Sequence, residues 1–349
     1  MHAPDGGLDL DEPNRFSRVD HSDALADVEA AAWHWDDARR LQLELDLTLA
    51  EQVCIIGMGG AGIAGHVLRG LVADVLQVPI VVHQGYGLPA FVGPSTQVIA
   101  LSHSGNSAET LDAVGWAQAR GARIAAVTSG GRLGRLAVEH GWTLATPPVQ
   151  GPPRHSLGWL LVPLLGAFGL DDQIDAAVAA QRRVVGECGR HIPVADNLAK
   201  RLALRLADVD LAIVWGTQGP GGVMARRLAA QLNENAKLPA YAATLPEAGH
   251  NAIVGHSLER HAPRSGLVVV RDPASEHPRV AAMVAPARDI VGGHVAWSVE
   301  VGSHDGPPLA RVAELVAVVD LVSVYSALAR GVDPTPTAAI EELASAGRQ

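Results

Sequence analysis

Two cysteines in 349 residues exclude a disulfide scaffold: Cys54 lies in an apolar run, Cys188 in a polar helical stretch, and no C-x-x-C pair stands near either. Aromatic residues make up only 4% of the chain, which argues against an aromatic-lined binding face and for close packing of small aliphatic side chains. No run of basic residues offsets the net charge of −10, so neither nucleic acid nor an anionic membrane surface is expected as a partner. A small anion stays compatible with that charge, because local donors outweigh a distant field screened by salt. Residues 1–14 lack the basic-then-apolar order of a secretory signal. The longest apolar stretch, read at 157–170, is too short to span a bilayer and is interrupted by Gly158, Pro163 and Gly166. A soluble cytoplasmic protein is the expectation.

What the chain does have is material for two cores: 48% hydrophobic and 18% charged residues. The expected organisation is a mobile acidic tail at 1–22, a first α/β lobe at 23–170, a helical connector at 171–207, a second lobe at 208–340 and a short tail at 341–349. Trp33 and Trp35 are expected to seat the leading helix on the first lobe. Apolar runs at 53–56, 79–82, 98–101, 123–127 and 143–146 alternate with helical segments. Strands without polar alternation belong in a parallel sheet covered on both faces. The second half repeats the scheme with runs at 211–215, 241–245, 266–270 and 294–301, closed by a long helix at 308–330. Strand, glycine turn, helix, proline, strand recurs in both halves, the mark of an internal duplication.

Two motifs bear on chemistry. Gly57-Met58-Gly59-Gly60-Ala61-Gly62 follows a strand and opens a helix. A dinucleotide site would need a carboxylate ending the next strand to hold the ribose, and His83-Gln84-Gly85 stands there instead. A structural turn and an anion cradle both stay open for it. The second motif is Ser102-His103-Ser104-Gly105-Asn106-Ser107, between the third strand and the helix carrying Glu109 and Thr110. Amides at a helix N-terminus and the macrodipole favour an anion by about 0.3–1 kcal/mol per charge. Capping accounts for one hydroxyl, not three, and a nucleophile elbow would need G-x-S-x-G, which is absent here. A phosphate on this loop is the reading that uses all three.

The loop resembles the S-x-S-G-N-[TS] signature of sugar isomerase (SIS) domains. The resemblance extends through Ser129-Gly130-Gly131-Arg132-Leu133, Pro153-Arg154, Asn233-Glu234-Asn235-Ala236-Lys237, Pro246-Glu247, His250-Asn251 and Gly331-Val332-Asp333-Pro334. In that order the chain is similar to the bifunctional phosphoglucose/phosphomannose isomerase family. The resemblance implies two tandem SIS-type, flavodoxin-like lobes and isomerisation of glucose-6-phosphate, and of mannose-6-phosphate as a second substrate, to fructose-6-phosphate. It implies a cis-enediol route with no metal and no cofactor. Gly60, Ala61, Ser102, Ser104, Asn106 and Ser107 would hold the phosphate. Glu234 would be the base, Arg154 would stabilise the enediolate, and His250 would assist ring opening from across a homodimer interface. Two positions depart from the family pattern: Ala61 stands where serine is usual, and no lysine follows Lys237 although the family carries one near its C-terminus. Both departures keep a second reading open, a sugar-phosphate-binding regulator with weakened catalysis. A third, a dinucleotide-dependent oxidoreductase, rests on the glycine run alone. His256 and His261 stand near His250 without metal-ligand spacing.

Overall fold

The structure is a computed structural model, described over residues 7–149, 151–256 and 264–346. Along the chain, α1 (Ala24–Glu29) and α2 (Ala31–Ala38) precede β1 (Gln52–Ile56), α3 (Gly59–Val72), β2 (Ile80–His83) and β3 (Thr96–Leu101). Then come α4 (Ala108–Ala119), β4 (Arg123–Val127), α5 (Gly131–His140), β5 (Thr143–Ala145), α6 (Leu157–Leu165), α7 (Ile174–Cys188) and α8 (Leu198–Ala207). The remainder runs β6 (Leu211–Thr217), α9 (Pro220–Glu234), β7 (Ala240–Leu245), α10 (Ala252–Gly255), β8 (Ser265–Arg271), α11 (Pro278–Gly292), β9 (Trp297–Gly302), α12 (Pro308–Ala329) and α13 (Ala338–Ala346).

These elements make two sheets, ordered β2-β1-β3-β4-β5 and β7-β6-β8-β9, and every pairing is parallel. The first is the flavodoxin-like order. The expected class, two α/β lobes each built on a parallel sheet flanked by helices, is what the chain adopts. The unbroken apolar strands follow from burial on both faces. Cys54, Ile56, Val98, Ala100, Ile124 and Ala126 pack with Ala113, Val114 and Ala117 of α4 and Leu133 and Ala137 of α5. On the opposite face, a Cβ at Gly65 of α3 would come within 2.9 Å of the Ile55 side chain, so that helix lies directly on β1. In the second sheet Ile213, Trp215, Leu267 and Val269 form a core with Val280, Val284, Ala287 and Val291 of α11.

The chain falls into two compact units, one holding the first sheet (30–182 and 304–314) and one holding the second (1–29, 183–303 and 315–349). The division falls between α1 and α2, within α7, after β9 and within α12. Residues 7–22, expected as part of a mobile tail, are packed into the second-sheet unit. Leu10 and Phe16 are buried, the Leu8 amide donates to the Leu328 carbonyl at 3.0 Å, and Lys200 Nζ donates to the Leu10 carbonyl at 2.6 Å. An apolar residue every few positions is enough to anchor a segment whose partners lie far along the chain. Of the two tryptophans expected to seat α2, Trp35 is 1% exposed and Trp33 53%, since helical residues two apart point to different sides. Helix α12 is long and apolar enough to cross a membrane by length and composition, and its apolar window is wholly buried, as in a core helix.

Candidate active site

In the first sheet the chain leaves β1 toward β2 on one side and returns to β3 on the other. That reversal opens a crevice at the carboxyl ends of β1 and β3, where ligands of such sheets bind. Both motifs singled out in the sequence line it. After β1, Gly57 sits in a tight place: a Cβ on it would stand 3.0 Å from the Ala61 Cβ and 3.1 Å from the Leu101 carbonyl oxygen. Gly59 has φ +50°, which glycine adopts without strain. The first turn of α3 is also approached by Pro153 and Arg154, which form a short 3-10 turn: a Cβ at Gly60 would lie 3.5 Å from the Arg154 Cα. Arg154 is buried there. The Ala61 amide, expected to serve phosphate, already donates to the Met58 carbonyl at 3.0 Å, and the Gly62 amide shares that acceptor. A methyl side chain offers no donor, so the amides left for an anion at this helix head are those of Gly59 and Gly60.

The serine loop after β3 is held by its own side chains. Ser102 Oγ accepts the Gly105 amide at 3.1 Å and lies 3.2 Å from Ser107 Oγ. Ser104 Oγ accepts the Asn106 amide at 3.3 Å. Ser107 is the N-cap residue of α4, yet its side chain makes no capping hydrogen bond. Asn106 is engaged at both ends of its amide, accepting from the Arg132 N–H at 3.0 Å and donating to the Ser104 carbonyl at 3.1 Å. It therefore braces the loop. The first amides of α4, at the end of this turn, are without intrahelical acceptors.

The second turn, Ser129-Gly130-Gly131-Arg132-Leu133, had a place in the family pattern but no role read from the sequence. It buttresses the serine loop. Gly105 has φ +66°, and a Cβ on it would lie 1.9 Å from the Gly130 carbonyl oxygen; a Cβ on Gly131 would lie 2.3 Å from the Ser104 carbonyl oxygen. The Ser129 amide donates to the His103 carbonyl at 3.0 Å and the Leu133 amide to the Gly105 carbonyl at 2.9 Å. The signal in the sequence is the pair of adjacent glycines ending β4, directly beside the loop in the sheet. His103 is buried. Burial pushes its imidazole below the usual histidine range, against the hydrogen bond it donates to the Pro148 carbonyl.

The remaining candidate residues lie in the second-sheet unit. Glu234 is the last residue of α9 and half-buried. Its neighbours are anchors. Asn233 Nδ2 donates to the Ala229 and Ala240 carbonyls at 2.8 and 2.9 Å, joining the end of α9 to the start of β7. Asn235 is fully buried and donates to Gln231 Oε1 at 2.9 Å and Ser323 Oγ at 2.8 Å. His250 is exposed at the end of a 3-10 turn, Glu247–His250, that follows β7. The next residue, Asn251, ties back to Glu247 Oε1 at 2.8 Å and caps α10. His256 packs near Trp215, with ring centroids 6.1 Å apart; His261 lies outside the described residues. Among the described residues, no group of three or more His, Cys, Asp or Glu side chains is placed to hold a metal.

Two parallel α/β lobes, one with a serine loop at its strand reversal, fit the class of sugar isomerase domains. The SIS domain profile matches residues 46–149, and the profile described as the bacterial phospho-glucose isomerase C-terminal SIS domain matches residues 195–346. A bifunctional phosphoglucose/phosphomannose isomerase of Caldicellulosiruptor bescii is 37% identical over 84% of this chain and 88% of its own. The protein of the same name from Aquifex aeolicus is 30% identical over 89% of this chain and 93% of its own. A solved structure of a hypothetical protein from Thermus thermophilus shares the fold, with a TM-score of 0.75 at 17% identity, over 97% of this chain and 94% of that one. The chain belongs to the bifunctional phosphoglucose/phosphomannose isomerase family, a family of isomerases.

Proposed function

We propose that this chain interconverts hexose 6-phosphates, converting glucose-6-phosphate and mannose-6-phosphate to fructose-6-phosphate in the cytoplasm as a homodimer, without a metal. One observation supports this reading above the others. Ser107 stands at the N-cap of α4 without capping it, its hydroxyl turned to Ser102 Oγ, so the loop keeps hydroxyls and helix-head amides for an anion. In the proposal the phosphate rests on Ser102, Ser104 and Ser107 and on the amides of Gly59 and Gly60, while Asn106 holds the loop rigid.

The chemistry divides into two stages, ring opening and proton transfer from C2 to C1. The partner subunit's His250 hands a proton to the ring oxygen as the C1–O5 bond breaks, and the O1 proton leaves to water as the C1 carbonyl forms. The Glu234 carboxylate then takes the C2 proton. The C–H electron pair becomes the C1–C2 double bond, the carbonyl pair moves to O1, and Arg154 meets the charge of the resulting cis-enediolate. Return of that proton from Glu234 to C1, with O2 losing a proton and O1 gaining one, completes the ketose. A positioned base of this kind contributes about 10²–10⁴-fold. Purified protein given fructose-6-phosphate is expected to form both aldose phosphates at a rate unchanged by EDTA. E234Q is expected to lose about 10²-fold or more in kcat while still binding the sugar phosphate. Wild-type turnover by E234Q, or abolition by EDTA, would sink the mechanism.

The second reading, a sugar-phosphate-binding regulator, is favoured by Ala61 and by the chain's lysines. There are two, Lys200 and Lys237, and each ammonium is held by backbone carbonyls. Calorimetry showing hexose 6-phosphate binding without turnover would establish it.

A further inference from the structure

We infer that Lys237 is a positioning residue for Glu234, a role that rests on the reading of Glu234 as the base. The last turn of an α-helix leaves its carbonyls without intrahelical partners and concentrates about half a negative charge there. Helix α9 ends at Glu234, so the residue proposed to move the proton sits on the least restrained turn of its helix. Lys237 is where that turn is closed. Its Nζ lies 2.9 Å from the Glu234 carbonyl oxygen and 3.3 Å from that of Asn235. The same ammonium reaches the carbonyls of Asp333 at 2.7 Å and Pro334 at 3.3 Å. Three N–H bonds thus address four acceptors, two on the helix end and two on the loop after α12.

The loop is fixed on its other side as well. The Asp333 carboxylate accepts the Thr335 amide at 2.9 Å and lies 2.7 Å from His21 Nδ1. The Glu234 turn therefore has three anchors on separate flanks: Asn233 to β7, Asn235 to Ser323 of α12, and Lys237 to the 333–334 loop. Only the third carries charge, and it places that charge at the helix's negative end. Lys237 adopts φ +49° to do so, a left-handed conformation that costs a non-glycine residue about 1 kcal/mol or more. A compact ammonium on a flexible stem can address carbonyls arranged around a point; a planar guanidinium cannot do so equally.

The test compares K237G, K237R and E234Q in the coupled assay with fructose-6-phosphate. Glycine accepts φ +49° without strain, so K237G removes the ammonium while relieving the backbone. Displacement of a reacting group by about 1 Å costs about 10²-fold. K237G is expected to lose about 10- to 100-fold in kcat with KM within about threefold of wild type, since the phosphate loop lies elsewhere in the chain. K237R is expected to recover part of the loss, because the charge returns with poorer geometry. Wild-type kcat in K237G beside an inert E234Q would overturn the positioning role alone, as would a loss confined to KM or a K237R no better than K237G. Turnover by E234Q would bring down the reading of Glu234, and the positioning role with it.

Discussion

The two sheets reverse their strand order in the same way, between β1 and β3 and between β6 and β8, yet the residues at the two reversals have opposite chemistry. At the first, β3 runs into serines, an asparagine and a glycine, and α3 opens on glycines whose amides are intact. At the second, β8 ends in Arg271, hydrogen-bonded to Glu276 at 2.6 and 3.0 Å and to Glu300 at 3.0 Å. The next residue, Asp272, is buried and accepts the Ser303 hydroxyl at 2.6 Å. Helix α9 opens on Pro220, which has no amide proton to offer. Burial works against the charge on Glu300, but the hydrogen bonds from Arg271 and Arg288 hold its carboxyl below the usual range. One topology supplies two reversals; in the proposal the loops of the first receive an anion, whereas the second is occupied by its own ion pairs.

The sharpest way to break that contrast is to carry the second crevice's charge into the first. S102D sets a carboxylate where the phosphate is proposed to lie, and like charges at contact cost several kcal/mol. KM for fructose-6-phosphate is expected to rise about 10²-fold or more, read by steady-state kinetics; an unchanged KM would move the phosphate elsewhere. Next comes the buttress. G105A combines a left-handed φ with a Cβ 1.9 Å from the Gly130 carbonyl oxygen, and is expected to cost about 3 kcal/mol in denaturant unfolding.

R271Q acts on the other crevice. Glu276, whose side chain is 1% exposed, would lose both of its guanidinium donors, so stability is expected to fall by about 2 kcal/mol while KM stays within about twofold. The smallest effect is a pH dependence. Because burial lowers the His103 imidazole from its ordinary 6.5, the unfolded chain binds a proton that the folded loop refuses. Stability from this group is then full above about 6.5 and declines as pH falls below it. Urea midpoints between about pH 5 and 8 are expected to show that decline in wild type and a flatter profile in H103Q.

Much of this was legible in the sequence because its determinants are local. Apolar runs without polar alternation marked both parallel sheets, and a serine cluster ahead of a helix marked the loop at the first strand reversal. The losses share a cause, which is contact at long sequence separation. Nothing near Leu10 announces that its carbonyl meets Lys200, and nothing near Lys237 announces Asp333. The Ala61 amide looked available because a glycine run does not disclose that the Met58 carbonyl has taken it. Asn106 reads as a ligand among serines until Arg132, supplied by the next turn, is seen to engage its oxygen. The inclusion of 304–314 with the first sheet, away from its neighbours in the chain, has no local signature either.

The central claim is that the phosphoryl group is received at the first reversal and not the second. A crystal structure with fructose-6-phosphate bound tests it most directly. Phosphate oxygens are expected within hydrogen-bonding distance of Ser102, Ser104 or Ser107 and of the amides heading α4. Phosphate density beside Gly219 and Asp272, with the serine loop holding only water, would contradict it.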